Sequence, residues 1–198
     1  MLRTVDFVPE YLPEAGRMAL SIWGDETPDI PRVYRDVIYA YLPRYYYDQT
    51  SPYNLAVLEN GHLQALLLAS ADPPEPVAAH AWLKENLPPG GWGYAQAYQK
   101  YLDGNRCLED AYCSGDDVVL LFFASIRPGC GKLLMQEFCR RLLGDGKKSM
   151  LLWTDNTCDY QYYLDHDFTL LCRQCADPGL AGLSLETMIF RKEFAAEY

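Results

Sequence analysis

The stretch from Asp117 to Gly144, DVVLLFFASIRPGCGKLLMQEFCRRLLG, carries the residue types that could do chemistry. Within it, Arg127-Pro128-Gly129-Cys130-Gly131-Lys132 joins an apolar run to an amphipathic one. Gly129 and Gly131 let the backbone turn tightly and approach a ligand with no Cβ in the way. A helix opening on such a turn presents free N–H groups and the positive end of its dipole, which suits phosphate. Two phosphate motifs are excluded by spacing. A P-loop needs a glycine five residues before its Gly-Lys pair and Ser or Thr after it, where Ile126 and Leu133 stand. A dinucleotide-binding G-x-G-x-x-G needs a third glycine where Leu134 stands.

The flanking elements position this turn. Val118 to Ala124 is a continuous β-branched and aromatic run, as in a strand buried on both faces. Pro128 has no N–H to lose and suits a helix start. Leu133, Leu134, Phe138, Leu142 and Leu143 then recur at helical spacing, with Gln136, Glu137, Arg140 and Arg141 between them. Ser149 to Trp153 is a second short strand, followed by TDNTCDYQYYLDHDF over Thr154 to Phe168.

These two segments together resemble the GNAT N-acetyltransferase superfamily. Its acyl-CoA motif, Gln/Arg-x-x-Gly-x-Gly/Ala after a strand, is matched at Gly129 and Gly131, while Ile126 occupies the Gln/Arg position. Its later pattern has an Asn after the next strand and a helix Tyr seven residues on. A Gly-Phe pair follows that Tyr four and five residues later. Asn156, Tyr163 and Phe168 keep that spacing, with Asp167 in place of the glycine.

The resemblance implies an α/β (α+β) GNAT-like fold over residues 1–198 as one domain. Its central sheet would be mixed, mostly antiparallel, with about six to seven strands flanked by helices. A helical insertion at about 72–114 would lie between strands 3 and 4. The implied activity is acetyl-CoA-dependent N-acetyl transfer to a primary amine by direct attack, with no metal. The backbone N–H groups of Gly129, Cys130, Gly131 and Lys132 would cradle the pyrophosphate, and Arg127 and Lys132 would add charge. Backbone groups of Phe123, Ala124 and Ser125 would pair with the pantetheine arm. Asn156 would hold that arm or the following helix. Tyr163 would protonate the departing thiolate, a transfer worth about 10²–10⁴-fold in rate. No general base stands on the cofactor strand; Asp116 and Asp117 at its start are the nearest carboxylates. The Ile126 departure keeps an alternative open, a catalytically inactive GNAT-fold protein that binds a CoA-like ligand or a protein partner.

Composition limits the partners. The 198 residues carry a formal net charge of −10, which disfavours nucleic acid as a partner, because phosphate neutralisation needs clustered Lys and Arg. A small-molecule amine is the expected acceptor. No apolar stretch approaches the length of a membrane span, and the first residues lack a signal-peptide h-region, so a cytoplasmic location is expected. Seven cysteines without framework spacing agree with a reducing compartment. Cys172-x-x-Cys175 has no second pair, and in a strand its side chains would face opposite ways, so free thiols are expected there.

Along the chain, Leu2 to Val8 alternates as a strand, and a helix runs from about Pro9–Pro13 through Leu20 and Trp23. Gly24 to Pro31 reads as a loop, and Val33 to Tyr47 as a tyrosine-rich helix interrupted or ended at Pro43. Its tyrosines are expected mainly as packing, with one or two lining an acceptor pocket. Asn60-Gly61 joins Tyr53–Leu58 to Leu63–Ala69 as a hairpin, with His62 at an exposed strand start. Val77 to Leu87 and Tyr94 to Leu108 are the insertion helices, separated by Pro88-Pro89-Gly90-Gly91. They either carry specificity through Trp82, Trp92, Tyr94 or Tyr98, or cap the sheet or form a homodimer contact. Thr169 to Arg173 reads as a strand, Ala176 to Gly182 as a loop and Leu183 to Arg191 as the closing strand.

Overall fold

Val118 to Ala124 does form a strand buried on both sides, and the molecule is assembled around it. The computed structural model describes residues 1–176 and 185–194. The expected loop at Ala176 to Gly182 and the first residues of the closing strand therefore lie largely outside the described residues.

The strands are β1 (Leu2–Asp6), β2 (Leu55–Glu59), β3 (His62–Ser70), β4 (Asp117–Ser125), β5 (Ser149–Asp155), β6 (Thr169–Ala176) and β7 (Leu185–Glu193). They form one seven-stranded sheet in the order β1-β2-β3-β4-β5-β7-β6. Every neighbouring pair is antiparallel except β4 with β5. The helices are α1 (Leu12–Trp23), α2 (Arg32–Tyr46), α3 (Val77–Asn86), α4 (Trp92–Tyr112), α5 (Cys130–Gly144) and α6 (Gln161–Leu164). Two apolar cores follow from alternation along the strands. Val119, Leu121 and Ala124 pack with α1 to α4, while Val118 and Leu120 pack with α5 and α6.

Local chemistry explains most boundaries. Asn60 and Gly61 both have positive φ, at 51° and 84°, as a two-residue hairpin turn of this type requires. Helix α1 meets α2 backbone to backbone, because a Cβ on Gly16 would lie 2.7 Å from Ala40 Cα. Proline does not end α2, which continues past Pro43 to Tyr46. The cost of the lost bond is offset by burial of Tyr41, Leu42, Pro43, Tyr45 and Tyr46, and Arg44 Nη1 donates to the Ala40 carbonyl at 2.5 Å. The insertion forms α3 and α4, and α4 reaches across to β5 and β7. Among the described residues, no helix is long and apolar enough to cross a membrane.

The feature that positions a site is the junction of β4 and β5. Parallel pairing covers only Asp117↔Ser149, Val118↔Met150 and Val119↔Leu151. Beyond that point β4 stays on β3 and β5 stays on β7, so the two strands part. A bulge between Leu68/Ala69 leaves Leu121 as the extra residue on β4, at the start of the divergence.

Candidate active site

A cavity of about 760 Å³ fills the space between the parted strands. Its wall draws on both sides of the sheet, from Arg127, Gly129, Gly131, Lys132, Tyr162 and Tyr163 on one, and from Trp23, Tyr39, Tyr46, Tyr98 and Tyr101 on the other. It thus joins the two faces through the gap.

The turn entering α5 is built as its residue types demand. Pro128 and Gly129 are the central residues of Arg127–Cys130, Gly129 has φ 86° and ψ −21°, and Cys130 N–H donates to Arg127 O at 3.2 Å. This is a type II turn, with Pro and Gly where that turn requires them. The Cys130 N–H is thereby occupied, which corrects the expectation that it joins an anion cradle. The N–H groups of Gly129, Gly131 and Lys132 donate to no such partner among the described residues. A Cβ at Gly129 would meet nothing within 4 Å, so the surface outside the turn is open to a ligand. Gly131 is needed for a different reason, since a Cβ there would stand 3.1 Å from Phe123 Cζ.

The two cations divide. Lys132 is exposed and forms no ion pair among the described residues, whereas Arg127 is bound by Glu59 of the hairpin. Arg127 therefore reaches the site with its charge already matched. Ile126 is 52% exposed, and its backbone N–H goes to Gln64 O.

The strand edge is half available. Ile126 N–H bonds Gln64 O across the ladder, and backbone direction alternates along a strand. Ala124, opposite Leu66, must then point its N–H and C=O at β3. Phe123 and Ser125 point theirs into the gap. Of the three expected strand positions, two are free to pair with an extended ligand and Ala124 is not.

On the far side, Tyr163 sits in α6 with its ring against Phe168 at 5.1 Å and Phe190 at 5.5 Å. Its hydroxyl makes no hydrogen bond among the described residues. Burial, then the neighbouring Cys158, Tyr162 and Asp159, push its pKa well above the ordinary tyrosine value. Asp167 takes φ 62°, which explains how it stands at a position suited to glycine. Asn156 is not brought to the cavity. Its Oδ1 accepts from Glu186 N–H at 2.9 Å and its own N–H donates to Glu186 O at 3.2 Å, so it ties the end of β5 to β7.

The remaining candidates separate by position. Asp117 is buried at the opposite end of β4, held by Ser114 and Arg191, and Asp116 pairs with Lys148. Neither lines the cavity. Cys158 does, and burial followed by the Asp155 charge pushes its thiol up to about 11, which leaves it a poor nucleophile. Of the insertion aromatics, Tyr98 lines the cavity. Trp82 instead lies under Arg44 at 4.1 Å, Tyr94 stacks on Tyr34 at 5.7 Å, and Trp92 is 42% exposed. His62 is exposed beside Glu14. Among the described residues, no group of three His, Cys, Asp or Glu could hold a metal ion.

Sequence reasoning missed Asp155 and Glu109. Asp155 closes β5 and lines the cavity at 8% exposure, taking Tyr101 OH at 2.8 Å and the Thr157 N–H and hydroxyl at 2.9 and 2.5 Å. The Asp-x-Thr spacing was its available signal, an Asx-type turn at a strand end. Glu109, on α4, is 2% exposed with Oε1 unpartnered. Burial, then Asp110, raises its pKa well above the carboxylate range, against the Trp153 backbone N–H and Arg106. Nothing in the helical run Cys107-Leu108-Glu109-Asp110 distinguishes it from surface acids.

No family model matches the chain, and no curated protein matches it in sequence. Solved structures do match. The ribosomal-protein-S18-alanine N-acetyltransferase from Escherichia coli is similar over 100% of this chain and 97% of its own, at 12% identity and TM-score 0.52. The C-terminal condensation domain of Ebony, in complex with beta-alanyl-dopamine, covers 98% and 99% at 10% identity and TM-score 0.64. The PaiA N-acetyltransferase from Thermoplasma acidophilum, in complex with coenzyme A, covers 98% and 99% at 11% identity and TM-score 0.54. The chain has the GNAT N-acetyltransferase fold.

Proposed function

We propose that this GNAT-fold chain is an acyltransferase that moves an acetyl group from acetyl-CoA to a small primary amine. The observation that carries the reading is the type II turn at Arg127–Cys130, whose outward N–H groups open directly onto the gap between β4 and β5. The residues fit the co-substrate. Gly129, Gly131 and Lys132 N–H groups at the start of α5 suit a pyrophosphate, with Lys132 adding charge. The free edge at Phe123 and Ser125 suits an amide-bearing arm that pairs as a strand would. That a structure with this fold was solved with coenzyme A supports the assignment.

Acetyl-CoA supplies the acetyl thioester. The protein's part is to hold the amine nitrogen against it in a dry gap and to provide for the leaving sulfur. In the direct attack, a nitrogen–carbon bond forms as the carbon–sulfur bond breaks. Tyr163 donates its hydroxyl hydrogen towards the departing sulfur, and the proton lost by nitrogen restores the balance. An ammonium substrate first gives one further proton to water. The bulge at Leu121 interrupts the ladder beside the cavity, and on this reading a backbone N–H there would serve the carbonyl oxygen. The whole of residues 1–198 would act as one domain in this reading.

A second reading has specific support. Arg127 is neutralised by Glu59 and Ile126 offers no charge, so the mouth has little cation left for a polyanion. On that reading the chain binds a CoA-like ligand or a protein partner without catalysis. Thermal unfolding with acetyl-CoA, against NAD and ATP as controls, separates them from a ligand-free module. A native-state ligand at a hundredfold excess over its Kd adds about 2.7 kcal/mol. A shift with acetyl-CoA alone, followed by thiol release in the presence of amines, supports the enzyme. A shift without turnover supports the binder of a CoA-like ligand, and no shift at millimolar acetyl-CoA overturns the enzyme and the CoA-binding readings and leaves the protein partner.

A further inference from the structure

The two ends of the cavity differ in chemistry. On the α5 side the wall is a glycine turn with free N–H groups, Arg127 and Lys132. On the side of α1, α2 and α4 it is aromatic, built from Trp23, Tyr46, Tyr98, Tyr101, Phe122 and Trp153. These rings brace one another. Trp23 meets Phe122 edge-on at 5.6 Å, Tyr46 stacks on Phe122 at 6.1 Å, and Tyr101 meets Trp153 edge-on at 5.9 Å. They form a preset chamber for a flat apolar body.

One buried carboxylate, Asp155, interrupts this surface. Its oxygens offer about four acceptor sites, and Tyr101 OH, Thr157 N–H and the Thr157 hydroxyl occupy three of them. The carboxylate is thus oriented by its neighbours with one acceptor site remaining. Asp159, the other carboxylate in the wall, is exposed to water. Arg127 and Lys132 are the cationic side chains of the wall among the described residues, and both stand at the α5 mouth.

We infer that this chamber takes a primary monoamine carrying an aromatic or similarly flat apolar body and no carboxylate, with its nitrogen on Asp155. The inference rests on the acyltransferase reading for its use and on the chamber alone for its chemistry. An ammonium at Asp155 would be met by opposite charge and by ring faces, both favourable in a desolvated site. An amino acid would set its own carboxylate beside Asp155 with no cation to receive it. A polyamine would bury a second ammonium among rings, and an aminoglycoside would bury several.

The test uses the full chain and 2-phenylethylamine as probe, against phenylalanine, spermidine and glucosamine. Calorimetry without acyl donor measures binding, and thiol release with acetyl-CoA measures transfer. The expected result is 2-phenylethylamine bound at least about tenfold more tightly than the other three. The Asp155→Asn variant, which keeps an acceptor for Thr157, should weaken that binding at least about tenfold. Tyr101→Phe, which leaves the carboxylate in place with one donor fewer, should weaken it less than Asp155→Asn. Equal or weaker binding of 2-phenylethylamine than of spermidine or phenylalanine overturns the inference, as does Asp155→Asn with unchanged binding in a folded protein. Selective binding of 2-phenylethylamine without acetyl transfer leaves the chamber assigned and overturns the acyltransferase reading instead.

Discussion

Tyr163→Phe removes one oxygen atom and, on this geometry, little else. The hydroxyl has no hydrogen-bond partner among the described residues, and the ring contacts to Phe168 and Phe190 are kept. Stability should therefore change by no more than about 0.5 kcal/mol, or about 2 °C in Tm. Catalysis should change far more. Burial pushes the Tyr163 pKa above 10.0, while a free thiol titrates near about 8.5. Complete proton transfer to a thiolate is thus uphill by at least about 1.5 pKa units, about 2 kcal/mol. Tyr163 then acts mainly as a hydrogen-bond donor to the leaving sulfur, which places its contribution at the lower end of general-acid effects. We expect kcat to fall about 10²-fold, or about 2.7 kcal/mol, with the KM for acetyl-CoA unchanged. The sign of the shift also fixes the pH behaviour. A group held protonated to beyond pH 10 adds no descending limb below that pH, so the two proteins should give parallel profiles. The assay is thiol release at saturating substrates from pH 6 to about 9.5. A variant kcat within about threefold of the parent refutes the role, and so does a descending limb near pH 8 that the variant lacks.

Gly129→Ala should lower unfolding free energy by about 1–2 kcal/mol in urea titration, because φ 86° is left-handed and a Cβ there meets only open space. The same variant should weaken acetyl-CoA binding by distorting the turn. Glu59→Gln releases Arg127 from its ion pair, so acetyl-CoA should bind a few-fold more tightly, with a steeper dependence on salt. Glu109→Gln should change how stability depends on pH. The folded carboxyl has a raised pKa, so the native state retains a proton that the unfolded chain loses above about pH 4.5. Parent stability should accordingly fall as pH rises from there towards the folded pKa, and the variant should lose that slope. Urea midpoints at pH 5 and pH 8 decide it.

The periodic elements were legible because their signals are local. The β4 run, the Asn60-Gly61 hairpin and the glycine turn before α5 each follow from residues adjacent in the chain. Pro43 misled because the sequence carries the local cost of a helical proline but not the burial of four neighbours that offsets it. The site was legible only in part. The type II turn that occupies Cys130 N–H, the ladder direction that removes Ala124 and the Glu59 contact that holds Arg127 are pairings across distant segments. Asn156 keeps its spacing but does not line the cavity, and its Oδ1 accepts from Glu186 N–H, a pairing with a distant segment. Asp155 and Glu109 escaped notice because a carboxylate's burial is a property of the rings packed over it.

The short seam between β4 and β5 has a consequence for how the protein fares without ligand. A strand edge with unused N–H and C=O groups is a template for any extended chain. Here such edges lie inside the sheet, along Leu120–Ser125 and beyond Leu151 on β5, and neither stretch carries a lysine or a proline. The empty groove should therefore accept short apolar peptides as false strands, and self-association should be greatest in the ligand-free protein. Occupancy would act as a plug as much as a reagent, and the cell's supply of ligand would set the fraction of chains at risk of association.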